Sequence, residues 1–347
     1  MLAYSVRRLF WALALLLAMT LITFVVFFVI PSDRSRVAFR TGRGEYDIRQ
    51  SVGLSGTVWS QYGQYVWHLV HGNFGRSFRA HDQVRDILVS SAPVTASVVV
   101  GGAVVWLLIS LPLGVLAAIR PRSLLDRAAT IFVLIGISVH PIWIGLIFLY
   151  VFGFKLSLFP LGQYCEVFNP PPGATCGGIV QWAWHLVLPW VTFALLFAAL
   201  YVRMVRASVL ESYDEDYVRT ARAKGASEFR VLRGHVLRNA LLPVVSMLGM
   251  DMAIAMGGTL FVEQVYGLPG LGKTVVRGLQ TYDLPIILGV VVVVTSSIVV
   301  LNLVVDLLYG VIDPRVRFSA VGKEKRARVP VPGPEPQPKP VPQSAAP

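Results

Sequence analysis

Charged residues are scarce in this sequence. Asp, Glu, Lys and Arg make up 14% of its 347 residues, whereas apolar residues make up 55%. A soluble protein of ordinary composition carries roughly 25% charged residues. Several apolar runs also approach the ~20 residues that a helix needs to cross a bilayer. The composition therefore excludes an ordinary soluble domain and predicts an all-α integral membrane protein.

The common catalytic motifs are missing. The sequence contains no H-E-x-x-H and no G-x-S-x-G, the patterns that hold a catalytic zinc or a nucleophilic serine. Residues 267–274 (G-L-P-G-L-G-K-T) have the spacing of a nucleotide-binding P-loop. However, Pro269 interrupts them, no β-strand is predicted before them, and they fall on the predicted outer side of the membrane. We therefore expect no catalytic site in this chain.

Cysteine is nearly absent as well. Cys165 and Cys176 lie in one polar loop, and no Cys/His cluster has zinc-binding spacing. We therefore expect no metal site. A disulfide between the two cysteines is plausible if the loop faces an oxidising compartment, and two free thiols are the alternative.

Six apolar segments are long enough to cross a membrane, and we predict one spanning helix in each: about 9–30, 94–119, 129–152, 186–206, 241–262 and 285–310. Proline inside such helices is tolerated when neighbouring groups satisfy the freed carbonyls.

The basic residues predict the orientation of these spans. One set of short segments carries Arg7, Arg8, three arginines in 120–127 and eight Lys or Arg in 203–238, whereas the opposite short loops carry three basic residues in total. Cytoplasmic loops are enriched in Lys and Arg. Both termini are therefore predicted to be cytoplasmic, and the net charge of +12 indicates loop topology rather than nucleic-acid binding.

A charged segment, residues 212–243, separates the fourth and fifth predicted spans. Ser212 and Glu215 have the spacing of a helix-capping box. Tyr217, Val218 and Ala221 then recur at helical spacing on one face. Gly225 stands where a short helix would need a left-handed cap. Ser227 is placed to begin a second helix. We interpret the segment as helix, glycine turn and helix, held at the membrane surface; an amphipathic loop lying on anionic lipid is the alternative.

Asp251 lies in the middle of the fifth predicted span. Ionisable residues inside a membrane are functional candidates. We interpret this carboxylate as part of a translocation path or subunit contact, with structural pairing or proton coupling as alternatives. Proton coupling would make the chain a self-contained secondary transporter, although no inverted repeat is visible in the sequence.

Residues 216–225 (D-Y-V-R-T-A-R-A-K-G) resemble the cytoplasmic EAA loop of ABC-importer permeases, in the version of the dipeptide, oligopeptide and nickel branch. Arg219 and Thr220 depart from the general pattern of that loop. The resemblance extends from residue 4 to 317 through further segments of the branch: 4–9, 72–77, 185–189, 258–272, 283–285 and 302–317. Two departures are residues 31–34, where the branch has a different sequence, and Asp251, where a neutral residue is expected.

This resemblance implies a type I ABC-importer permease fold in a bacterial inner membrane. Residues 1–93 would hold the first span and an extracytoplasmic loop, 94–317 a five-helix core with the coupling loop 207–240, and 318–347 a disordered proline-rich tail. The implied partners are a second homologous permease subunit, two cytoplasmic ATPase subunits that use ATP and Mg²⁺, and an extracytoplasmic substrate-binding protein. The chain itself would bind no cofactor.

The resemblance also implies which residues couple to the ATPase and what the cargo is. Dipeptides or longer peptides are the expected substrates, with glutathione or nickel chelates as alternatives within the branch. The translocation path is expected to include Asp251 and Glu263. The apolar face of Tyr217, Val218 and Ala221 is expected to enter a groove on the ATPase. The residues expected to couple to the ATPase are Asp214, Glu215, Asp216, Tyr217, Val218, Arg219, Thr220, Ala221, Arg222, Ala223, Lys224 and Gly225.

Overall fold

The computed structural model describes residues 2–26, 56–167 and 176–312, and within these ranges the chain is helical apart from short turns and an isolated bridge between Arg76 and Gln83. The predicted tail 318–347 and most of the first outer loop, residues 31–55, lie outside the described residues. The α-helices, in chain order, are α1 Leu2–Phe24, α2 Val58–Val70, α3 Val84–Ile119, α4 Leu124–Ser138, α5 Pro141–Phe148, α6 Ile179–Tyr213, α7 Asp216–Ala223, α8 Glu228–Val231, α9 Leu237–Ala240, α10 Leu242–Tyr266, α11 Leu271–Thr281 and α12 Leu284–Ile312.

Five of these helices are long and apolar enough to cross a membrane: α1, α3, α6, α10 and α12. They correspond to five of the six predicted spans. Helices α3 and α6 extend beyond the predicted boundaries because their polar ends remain helical outside the apolar stretch. Pro112 in α3 and Pro189 in α6 do not end these helices, as predicted.

The third predicted span is broken, and our expectation of one helix over 129–152 was wrong. Helix α4 ends at Ser138, and α5 continues as a π-helical turn to Lys155, with a bend of 105° between the two parts. Pro141 stands at the start of α5. Because proline disfavours helical geometry in the residue before it, His140 is extended and caps the second helix instead.

The core lies between α3 and α6, which pack along most of their lengths. Trp106 of α3 is fully buried and stacks on Phe197 of α6 with ring centroids 4.6 Å apart. Tyr201, one turn further along α6, lies 5.9 Å from the same indole. Large rings at this contact pack α6 against α3. Helix α6 leads directly into the charged segment 212–243, which the basic residues predict to be cytoplasmic; we call it the cytoplasmic segment.

Helix α2 lies outside this core, against the outer end of α1. Tyr62 and Tyr65 pack against Phe24 with ring centroids 5.5 and 5.8 Å apart. Trp59 and Trp67, on the opposite face, are exposed. An amphipathic helix with exposed tryptophans on one face is typical of a membrane interface.

Candidate functional site

The cytoplasmic segment begins with helix α7, although its first residue differs from the sequence expectation. Ser212 still belongs to the last turn of α6, and Glu215 itself occupies the N-cap of α7 without a side-chain capping bond. The predicted capping box between these two residues is therefore wrong. No glycine or proline lies between Trp190 and Tyr213, so α6 continues through Tyr213 and includes the serine.

Gly225 ends α7 in the way the sequence predicted. Its φ is +80°, the N–H of Gly225 donates to the carbonyl of Arg222 (2.9 Å), and the N–H of Ala226 donates to that of Ala221 (3.2 Å). This pair of bonds defines a Schellman motif, in which a left-handed residue reverses the chain. The chain then enters α8 with Ser227 at the N-cap position, where its side chain makes no capping bond.

The apolar face of α7 points into this chain and not towards a partner. Val218 is 0% exposed and Ala221 is buried, and both belong to the core cluster that also contains Val209 and Val231. Our expectation that these two residues would enter a groove on another subunit was therefore wrong. An eight-residue helix is too short to be stable alone, so it is held by burying this face against its own chain.

The opposite face of α7 is available to a partner. All the other residues of the predicted coupling set are exposed, and only Tyr217 among them has a large apolar side chain. They are Asp214, Glu215, Asp216, Tyr217, Arg219, Thr220, Arg222, Ala223, Lys224 and Gly225.

Arg222 braces α7 against α8. Its Nε and Nη2 donate to the two carboxylate oxygens of Glu228 at 2.9 and 3.1 Å, and its guanidinium lies 5.3 Å from the ring centroid of Tyr213. The bond to Glu228 raises the pKa of Arg222. A bidentate pair of this kind fixes orientation, so it favours one angle between α7 and α8.

Phe229 was missed by the sequence reasoning. It lies in α8, immediately after Glu228, and 71% of its side chain is exposed. Exposed aromatic residues often supply most of the binding energy at protein interfaces. The available signal was an isolated aromatic residue within a charged segment (S-E-F-R).

Glu263, expected in the translocation path, has a different role in the structure. Its side chain is 0% exposed. Thr95 Oγ1 donates to Oε1 at 2.6 Å, and the backbone N–H of Lys273 donates to Oε2 at 3.0 Å. The carboxylate thus caps the N-terminus of α11, where the dipole favours negative charge. It holds α11 against α10 and α3, and none of its surface is exposed in the described chain.

This arrangement also argues against a nucleotide site at the P-loop-like residues 267–274. The helix N-terminus that would face a phosphate is already occupied by the carboxylate of Glu263. A Cβ atom on Gly270 or Gly272 would overlap that carboxylate. The two glycines are therefore required for the close approach of an internal acid.

A second buried acid joins two segments that are distant in sequence and lie on the predicted outer side. Asp283, fully buried ahead of α12, accepts a hydrogen bond from the hydroxyl of Ser77 at 2.5 Å. The backbone N–H of Arg79 lies 3.3 Å from the same carboxylate oxygen. The segments 72–77 and 283–285, which both carried the family resemblance, are thus in direct contact.

Asp251 lies near the middle of α10 and is partly exposed. The phenol of Tyr201, in α6, donates to its Oδ2 at 2.7 Å. This bond connects the helix leading into the cytoplasmic segment with the helix that follows it. Asp251 is thus partly exposed, whereas Glu263, expected in the same path, is fully buried.

Cys165 and Cys176 form a disulfide in the structure. The bond closes the loop between α5 and α6 on the predicted outer side. His185 of α6 lies beside it, with Nδ1 3.4 Å from the Cys165 sulfur. The loop is thereby attached to the end of α6.

Comparison with known proteins identifies the family. The family model described as "Binding-protein-dependent transport system inner membrane component" matches residues 110–318, and the model of the N-terminal part of such components matches residues 1–99. A Brucella suis protein named as a peptide permease is 35% identical over 327 residues, which cover 92% of this chain and 100% of the relative. The dipeptide transport system permease protein DppB of Escherichia coli K12 is 33% identical over 338 residues, covering 91% and 99%.

The fold has a counterpart among solved structures. A chain of the MetNI methionine ABC transporter, solved in inward-facing conformations, aligns with a TM-score of 0.51 and 19% identity, covering 65% of this chain and 96% of that one. This likeness supports the ABC-transporter permease fold. The matched residues, the apolar spanning helices and the exposed cytoplasmic segment agree, and the chain belongs to the family of inner membrane components of binding-protein-dependent transport systems.

Proposed function

We propose that this chain is one of two membrane-spanning subunits of an ATP-driven importer for dipeptides and longer peptides. The observation that carries the proposal is full-length similarity to proteins named as peptide and dipeptide permeases. The exposed face of α7 between two spanning helices supports it, because an importer without its own ATPase needs such a contact.

The proposed assembly contains a second homologous permease subunit, two cytoplasmic ATPase subunits and an extracytoplasmic substrate-binding protein. ATP and Mg²⁺ act in the ATPase subunits, and this chain contributes no catalytic residue and no cofactor site. The translocation path lies at the interface with the second permease, so this chain forms half of it.

The route for force transmission follows from the contacts of α7. Movement of an ATPase subunit acts on the exposed face, from Asp214 to Gly225. The buried Val218 and Ala221 pass that movement to the core cluster of α6, because close-packed side chains transmit displacement. The ion pair between Arg222 and Glu228 keeps α7 and α8 together during this movement.

Uptake of a labelled dipeptide tests the proposal. Membrane vesicles that hold the complete complex should accumulate the peptide only when ATP is supplied. Accumulation in energised vesicles depleted of ATP would overturn the proposal and favour the proton-coupled alternative. Competition by nickel chelates or glutathione, but not by peptides, would keep the ATP-driven mechanism and change the cargo.

A further inference from the structure

One face of α10 is left uncovered by the rest of the described chain. Met250 and Ile254 are 63% and 65% exposed, and Met247 and Phe261 on the same face are also exposed. These positions are separated by three, four and seven residues, which is one or two helical turns, and so form one stripe along the helix.

Asp251 stands at the edge of this stripe, one turn from Met247 and Ile254. Its carboxylate is partly exposed and accepts one bond, from Tyr201. A carboxylate has about four acceptor sites, so most of its capacity is unused. Among the described residues, no Lys, Arg or His forms an ion pair with it.

A carboxylate without a cationic partner is unfavourable in contact with lipid acyl chains. Exposing an ionisable side chain to hydrocarbon in the middle of a membrane is costly, and these residues normally face a bundle interior or a water-filled cavity. Asp251 therefore indicates that the stripe on α10 faces the aqueous path or the second subunit, and not the acyl chains.

The rest of the stripe suits a variable cargo. Four of the seven methionines in the chain lie between residues 247 and 256. Methionine side chains are flexible and are common on surfaces that bind many partners. Met247 and Met250 belong to the exposed stripe itself.

We propose that Asp251 is a cation-binding point on the translocation path, at which the ammonium group of a peptide N-terminus or a basic side chain is accommodated during passage. Tyr201 is a positioning residue that holds the carboxylate towards the stripe. The inference rests on the proposed transport function. It adds that the translocation path of the permease itself favours positively charged groups.

A cysteine reporter in the assembled complex tests the charge directly. Ile254→Cys places a thiol on the stripe one turn from Asp251. Its reaction rates with a cationic and an anionic methanethiosulfonate reagent are compared in two backgrounds, native Asp251 and Asp251→Asn. Asparagine keeps an acceptor for Tyr201 but removes the charge, and co-purification with the ATPase subunits checks that the variants assemble. The chain without Ile254→Cys measures background labelling.

The cationic reagent should react faster in the native background, and Asp251→Asn should lower the cation-to-anion rate ratio about fivefold to tenfold, the size expected for unit charges about one helical turn apart in water. An unchanged ratio would overturn the inference. So would a thiol that neither reagent reaches in any nucleotide state, because the stripe would then be covered by lipid or protein. ATP-independent peptide uptake would overturn the proposed function without altering this ratio.

Discussion

Replacing Gly225 by valine should uncouple this permease while leaving it in the membrane. The residue has a φ of +80°, and a Cβ atom built on it meets nothing within 4 Å. The penalty is therefore in the backbone and not in packing. An L-residue in the left-handed region costs about 1–2 kcal/mol, and a β-branched residue is less tolerated there.

That cost acts on the Schellman turn after α7. A penalty of 1–2 kcal/mol changes the ratio of intact to broken turns by a factor of about 5–30. Because the turn sets the angle between α7 and α8, we expect peptide uptake to fall by a similar factor. The spanning helices do not contact the substituted side chain, so insertion should be normal.

Two matched variants distinguish backbone strain at Gly225 from a general effect of substitution in this segment. Gly234 lies in the same segment and also has open space for a Cβ atom, but its φ is not positive. Gly234→Val should therefore leave uptake near the wild-type rate. Gly225→Asn should recover most of the activity, because asparagine tolerates the left-handed region.

The assay is ATP-driven peptide uptake in proteoliposomes, with co-purification of the ATPase subunits measured in parallel. Uptake and ATPase binding at wild-type levels in Gly225→Val would refute the reasoning. An equal loss in Gly234→Val would also refute it, since the effect would then not depend on backbone conformation.

Three further predictions concern other parts of the chain. Glu263→Ala should lower the free energy of unfolding in detergent by about 2–5 kcal/mol, because it leaves buried donors without an acceptor. The exposed Glu166→Ala is the control, and equal stability of the two variants would contradict the capping role. Phe229→Ala should weaken ATPase binding roughly tenfold with a stability change within about 0.5 kcal/mol; unchanged co-purification would remove Phe229 from the interface. Cys165 and Cys176 should resist alkylation in the unreduced protein, and mass spectrometry that finds both alkylated would contradict the disulfide.

The spanning helices could be predicted because their signal is local. About twenty apolar residues are enough to cross a bilayer whatever the rest of the chain does. The broken third span shows the limit of this reasoning. Pro141 was visible in the sequence, but proline inside a membrane helix is compatible with either continuation or a bend, and here the chain bends by 105°.

The partners of the buried acids could not be predicted. Glu263 accepts from Thr95, 168 positions earlier, and Asp283 accepts from Ser77, 206 positions earlier. Contacts between residues so far apart depend on how the helices pack, and hydrophobic periodicity carries no information about them. An acid in a membrane helix is the same in sequence whether it lines a path or caps a neighbouring helix.

The cytoplasmic segment has some features that neighbouring residues determine and others that depend on helix packing. Its polarity and Gly225 determined that a short helix and a left-handed turn lie between two spans, because these are properties of neighbouring residues. Only the tertiary structure decided that Val218 and Ala221 face inward, since burial depends on the core that α6 presents. The sequence alone thus determined that a charged helical segment separates two spans, and the packing of the helices decided which of its side chains are exposed and available to a partner.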